Sequence, residues 1–109
     1  MNAMKRLLWW LLAGSAGGVN RGRILEELFQ TPHNANELAK VLSLDYKTIR
    51  HHLDVLEKNH LITSTGSGYG KTYFPSDLLE TNTGLFQEIW GQIGKKQISQ
   101  NNQPVGEKK

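Results

Sequence analysis

With 109 residues, the chain suits one domain and leaves little room for a second. It holds no cysteine, which excludes disulfides, thiolate zinc sites and cysteine nucleophiles, and fits a reducing, cytoplasmic setting. The net charge is +3 and unevenly spread: residues 1–75 carry nine Lys/Arg against six Asp/Glu, residues 76–109 four of each, and a basic bias in the first part favours a polyanionic partner.

The most apolar run is Leu7-Leu8-Trp9-Trp10-Leu11-Leu12-Ala13. It is far short of the roughly 20 residues that a membrane span needs, so no membrane partner is expected. It reads as a short helix that is apolar all round. Such a helix must be covered, here by its own core and by a partner subunit. Gly14, Gly17 and Gly18 end it and allow a turn. Asn20 is placed to cap the next helix, Arg21 to Gln30. Ile24, Leu25, Leu28 and Phe29 form its buried stripe, with Arg21, Arg23, Glu26 and Glu27 outward. Thr31-Pro32-His33 stops it. Asn34 caps a third helix, and Glu37 completes an Asn version of the capping box. Leu38, Ala39, Val41 and Leu42 give this helix its apolar side. Ser43-Leu44-Asp45 then links to a longer helix. Short helix, tight link and longer helix form the helix-turn-helix pattern, and the small Ala39 side chain allows a close crossing.

The longer helix spans 45–59. Asp45 is its N-cap. Ile49, Leu53 and Leu56 recur at spacings of four and three and share one face. Lys47, His51 and Lys58 point away from that face, with Arg50 and Asp54 on the flank. Such a helix is either a solvated surface helix or one that a small domain inserts into a DNA groove. The periodicity then changes. Leu61 to Thr65 and Lys71 to Phe74 read as strands. Between them, Gly66-Ser67-Gly68-Tyr69-Gly70 is a hairpin loop with three positions open to positive φ. Pro75 ends the second strand. Ser76 or Thr83 caps a last helix whose stripe is Leu85, Phe86, Ile89, Trp90 and Ile93. The structured domain is expected over 1–97, with a disordered polar tail over 98–109.

Three helices followed by a glycine-tipped hairpin is the order of a winged helix-turn-helix. The expected fold is mainly α with a β-hairpin: a three-helix core plus a wing, with extra N- and C-terminal helices. The segment Asn34-Ala-Asn-Glu-Leu-Ala-Lys-Val-Leu followed by Asp45-Tyr-Lys-Thr-Ile-Arg-His-His-Leu-Asp-Val-Leu-Glu-Lys-Asn-His-Leu-Ile resembles the ArsR-type winged-helix regulators. Glu37-Leu38-Ala39, Thr48-Ile49-Arg50-His51-His52-Leu53, Leu56 and Leu61-Ile62 carry the likeness, which covers about Asn20 to Pro75. The opening Trp9-Trp10 helix and Gly17-Gly18-Val19-Asn20-Arg21 resemble small archaeal members. The resemblance implies a dimeric, DNA-binding transcription regulator. Metal-sensing members carry Cys-x-Cys before the recognition helix, or His and carboxylates in the last helix. Here Ala39-Lys40-Val41 fills the first place, and the last helix has Glu80 and Glu88 without a His. No metal or other cofactor is therefore expected.

In this reading helix 45–59 enters the major groove of double-stranded DNA. Lys47 and Arg50 donate to guanine O6/N7 or to phosphate, Arg50 with a bidentate option. His51 and Tyr46 add base-edge or phosphate contacts, and Thr48 contacts phosphate or packs. Asp54 accepts from a cytosine amine or pairs with Lys58. The helix starts near Asn34 and near Asn20, with Arg21, face phosphates. The wing, 65–72, places Tyr69 and Lys71 on the neighbouring backbone or minor groove. A homodimer on a palindromic operator is expected, with the Leu7–Leu12 and Leu85–Ile93 helices as its seam. His51 and His52 diverge around the helix, so they do not make a metal pair, and His52 is read as a semi-buried structural histidine. The glycine-rich segments lack the strand-then-helix setting of a phosphate cradle. No Ser/His/Asp or paired-carboxylate set is visible, so catalysis is not expected. The competing reading is a winged helix serving as a protein-interaction module in a transcription or repair assembly.

Overall fold

The computed structural model describes the backbone of residues 2–102 and the side chains up to residue 94. Helix α1 (Ala3–Leu12) is capped by Asn2, whose Oδ1 accepts the Lys5 N–H at 2.7 Å. Leu8, Leu11 and Leu12 are buried against α2 (Gly18–Gln30) and α6 (Thr83–Asn102), while Trp9 and Trp10 remain 44% and 54% exposed. The apolar run is thus covered on one face only.

Helix α2 starts earlier than its sequence suggests. Gly17 is the N-cap, at φ +82°, and no side chain caps the helix. A Cβ on Gly18 would overlap the Leu12 carbonyl, so α1 and α2 meet backbone to backbone. Asn20 falls inside the first turn instead, where its Oδ1 accepts from Arg23 Nη1 at 3.1 Å. After α2 the chain forms a short strand, β1 (His33–Asn34), that the sequence does not announce. Asn34 also caps α3 (Ala35–Leu42) through the expected capping box. The Glu37 N–H donates to Asn34 Oδ1 at 2.8 Å, and the Asn34 N–H donates to Glu37 Oε1 at 2.9 Å.

Ser43, at φ +55°, turns the chain out of α3, and Arg23 Nη2 donates to the Leu42 carbonyl at 2.8 Å. Helix α4 (Tyr46–Lys58) follows, capped by Asp45, which accepts the Thr48 N–H at 3.2 Å. Its seam of Ile49, Leu53 and Leu56 is fully buried. His60 takes φ +63° after α4. The N–H of Leu61 reaches the Leu56 carbonyl and that of His60 reaches Glu57, both at 3.0 Å. This is a Schellman termination, with His60 in the place that glycine usually takes.

Strands β2 (Ile62–Thr65) and β3 (Thr72–Pro75) form the wing, and β3 lies centrally in the order β1-β3-β2. Both neighbours are antiparallel, with Tyr73 opposite His33 on one side and Ser64 on the other. A 3₁₀ turn at Gly68–Gly70 makes the tip, where Gly66 and Gly68, but not Gly70, take positive φ. The single last helix expected from the sequence is two. Ser76 caps the short α5 (Asp77–Thr81), accepting the Leu79 N–H at 3.1 Å, and Thr83 opens α6. Helical backbone continues through Asn102, and residues 103–109 of the expected tail lie outside the described residues.

Phe86 and Ile89 of α6 are buried in the chain's own core. The Phe86 ring lies 5.3 Å from Phe29 and stacks on Trp90 at 6.3 Å. The stripe expected to form half of a dimer seam is therefore largely consumed internally. Among the described residues, Trp9, Trp10 and Val19 of α1 and α2 are left exposed. Because the α1–α2 contact is between backbones, it has little room to relax. Gly18→Ala should lower the urea unfolding midpoint, with a loss of about 2–3 kcal/mol in stability. An unchanged midpoint would show that the two helix ends are not held this close.

Candidate nucleic-acid interface

The outward face of α4 carries Lys47 and His51, both exposed, with Arg50 half-exposed and Asp54 exposed beside them. The buried seam fixes this orientation: with Ile49, Leu53 and Leu56 inward, positions 47, 50, 51 and 54 share the opposite side. Thr48, half-buried in the first turn, uses its N–H on the Asp45 cap. Tyr46 and Arg50 also border a cleft of about 330 Å³ between α4 and the wing, which Gly68, Tyr69 and Lys71 close on the other side. Two cations and two phenols thus meet in one cleft. Tyr69 stands at the wing tip, 79% exposed.

Arg50 is held from two sides. Its Nη1 donates to Tyr73 Oη at 2.8 Å, and its Nη2 lies 3.8 Å from Asp54 Oδ1. Partial burial works against the Arg50 charge, but Tyr73 and Asp54 outweigh it and hold the guanidinium above its ordinary range. Asp54 therefore pairs with Arg50, not with Lys58 as its spacing also allowed. Lys71 directly follows the tip turn and leads into β3. Its Nζ is 3.7 Å from Glu57 Oε1 and 5.6 Å from the centre of the Tyr73 ring. Glu57 Oε2 accepts from Ser64 Oγ at 2.9 Å, so one carboxylate ties α4 to β2 and to the residue that leads into β3.

Arg21 is not on this face. It is 4% exposed, and its guanidinium is spent on the chain itself. Nε donates to the Leu11 carbonyl at 2.9 Å, and Nη2 donates to Ser15 Oγ at 2.6 Å and to the Ala16 carbonyl at 3.0 Å. Nη1 lies 3.3 Å from His52 Nδ1 on α4. The physical reason is at the end of α1. The last carbonyls of a helix lack intrahelical donors and carry the negative end of its dipole, a good seat for a cation without a carboxylate partner. Burial depresses the pKa of Arg21 below its ordinary value.

His52 is buried, at 5% exposure, and is the structural histidine expected from its place on the helix. With Arg21 beside it, its Nδ1 acts as the acceptor, which requires the neutral ring. His51 turns to solvent. His33 lies with Nε2 2.9 Å from Glu27 and Nδ1 3.5 Å from Glu37. Among the described residues, no group of three or more His, Asp or Glu side chains is arranged to hold a metal, and no helix is long and apolar enough to cross a membrane.

Sequence reasoning passed over Tyr73. A signal was present: it alternates inward on the strand Thr72–Phe74, and a buried phenol must find a polar partner for its tip.

A three-helix unit with a helix-turn-helix, followed by an antiparallel wing beside the second helix, defines the winged helix-turn-helix class. Residues 19–64 match the model of the bacterial regulatory protein arsR family, so this segment is similar to the helix-turn-helix of that family. Solved structures agree on the fold. The reduced transcriptional regulator YodB from B. subtilis superposes with TM-score 0.64 at 19% identity, over 84% of this chain and 90% of that one. Oxidized MarR from E. coli gives TM-score 0.63 at 19% identity, over 89% and 72%. The adhesin competence repressor AdcR from Streptococcus pyogenes gives TM-score 0.61 at 16% identity, over 99% and 85%. No curated protein sequence matches the chain.

The buried histidine makes a pH dependence that can be checked. Burial first, then Arg21 and His51, push the His52 pKa below its ordinary 6.5. The unfolded chain therefore takes up this proton at a higher pH than the folded one. Stability from this source is complete above about pH 6.5 and is lost as pH falls from there towards the folded-state pKa. Thermal melts at pH 7.5 and 5.5 should show a larger fall in Tm for the native chain than for His52→Gln. Equal falls would mean that His52 contributes nothing to the acid response.

Proposed function

We propose that the chain is a sequence-specific, double-stranded DNA-binding transcription regulator that acts as a homodimer. The observation that carries this reading is the convergence of Lys47, Arg50 and His51 on the open side of α4, next to a cleft lined by Tyr46, Tyr69 and Lys71. Helix 45–59 lies in the major groove with Lys47 and Arg50 at base edges or phosphates. Arg50 keeps donors beyond those used on Tyr73 and Asp54, since a guanidinium has five N–H groups. The wing lies on the adjacent backbone, with Tyr69 as its most advanced side chain. Phosphate contacts from Lys47, Lys71 and the α3 N-terminus set the register, and the groove contacts of α4 supply the sequence preference.

The homodimer is supported by the exposed indoles of α1. Trp9 and Trp10 lie side by side in sequence at 44% and 54% exposure, with Val19 also exposed. Large apolar groups left together on a surface mark association sites. A two-fold pair joined through α1, with the outer side of α6, presents two copies of α4 to a palindromic operator.

Selection of bound sequences from a random duplex pool, followed by binding measured in rising salt, tests the proposal. A palindromic consensus is expected, with affinity falling steeply as salt rises. Arg50→Ala should weaken binding to the selected site by about 1–3 kcal/mol and relax its sequence preference, whereas Lys47→Ala should also flatten the salt dependence. If both variants bind as the native chain does, α4 is not the recognition helix. A monomer without DNA affinity would instead favour the protein-interaction module.

A further inference from the structure

We propose that Tyr73, a core residue of the wing, is a positioning residue that sets the sequence discrimination of Arg50. The inference rests on the DNA-binding reading above and goes beyond it, because Tyr73 itself is buried and meets no DNA.

Tyr73 is 1% exposed and occupies the central strand β3, between His33 of β1 and Ser64 of β2. A ring held by strands on both sides has little freedom, so its Oη is a fixed point at the edge of the core. Arg50 Nη1 donates to that oxygen at 2.8 Å, and the two residues lie 23 positions apart in the chain. The hydrogen bond therefore joins α4 to the wing, and Arg50 also borders the cleft that Tyr46, Gly68, Tyr69 and Lys71 complete. Asp54, one helical turn on, contacts the other arm of the guanidinium at 3.8 Å. That contact is solvent-exposed and is the weaker restraint.

The consequence is energetic. A free arginine on a helix surface samples many rotamers and loses that freedom on docking. Here one arm is already fixed before DNA arrives, which lowers the ordering cost of the bound geometry. The bond consumes one N–H, so the remaining donors still permit a two-bond contact with a guanine edge. Phosphate contacts tolerate a swinging cation, whereas base-edge contacts require a fixed plane and direction. Removing the Tyr73 hydroxyl should therefore cost discrimination between sequences and spare non-specific affinity.

The test uses the full chain, a duplex selected by the native protein and a random-sequence duplex of equal length, at one salt concentration. The quantity read is the ratio of the two Kd values. Tyr73→Phe keeps the ring and should lower the ratio roughly tenfold, with little change on the random duplex. Combining Tyr73→Phe with Arg50→Ala should be no worse than Arg50→Ala alone, since both remove one interaction. In the DNA-free protein, NMR should show faster rotation of the Arg50 guanidinium in Tyr73→Phe. If Tyr73→Phe does not fold, Arg50→Lys serves: it keeps the charge without the fork and should lose the ratio while keeping random-duplex affinity. A native ratio in Tyr73→Phe or, where that variant does not fold, in Arg50→Lys, while Arg50→Ala falls, overturns the positioning role and leaves the regulator reading standing. No preference between duplexes in the native chain overturns both.

Discussion

A cation seated on the spent end of a helix holds this small protein together. The Arg21 guanidinium takes the Leu11 carbonyl of α1, the Ala16 carbonyl and the Ser15 hydroxyl of the following turn, and His52 of α4. The end of α1, the turn after it and α4 thus converge on one side chain. No carboxylate is among its partners. The charge is tolerated because carbonyl dipoles and a neutral imidazole satisfy its donors. The tight approach of Gly18 to the Leu12 carbonyl and the left-handed Gly17 bring α2 to where Arg21 can reach. The orientation of α4 depends in part on a residue that touches neither its apolar seam nor its outer face.

From that anchor outward, successive restraints fix the outer face of α4. The α4 seam is buried, its start is capped by Asp45, and its end is closed by the left-handed His60. Glu57 contacts Lys71 and Ser64, and Arg50 contacts Tyr73, so α4 and the wing are joined at two separate places. These contacts leave Lys47, His51 and Tyr69 facing water. Arg50 is held by Tyr73 and Asp54 yet keeps further N–H donors, since a guanidinium carries five.

Much of this is legible in the sequence, for identifiable reasons. The bounds of α4, the Asn34–Glu37 capping box and the two wing strands follow from local rules, namely spacing, cap chemistry and glycine-rich turns. The outward set at 47, 50, 51 and 54 follows because three buried aliphatics fix the helix phase. Arg21 is not legible, since an arginine on an amphipathic helix ordinarily turns to water. Only the tertiary placement of α1's last carbonyls reverses that default. The start of α2 is misread for a related reason: Asn20 is a good cap in isolation, but the backbone contact at Gly18 begins the helix sooner. Strand β1 is too short for any alternation to reveal, and it exists because β3 offers it an edge. Ser76 and Thr83 are both acceptable caps in sequence, but only Ser76 caps; Thr83 is the first residue of α6, and its hydroxyl donates to the Glu80 carbonyl.

Strand β1 links the wing to the helix-turn-helix. Asn34 pairs with Thr72 of β3 and, through its side chain, begins α3. The same residue therefore closes a sheet and opens the first helix of the helix-turn-helix. The flap and the helical pair are consequently not two appendages on a flexible joint. They behave as a single caliper of set width, and the span between its jaws is a property of the folded monomer, carried unchanged to whatever surface it grips.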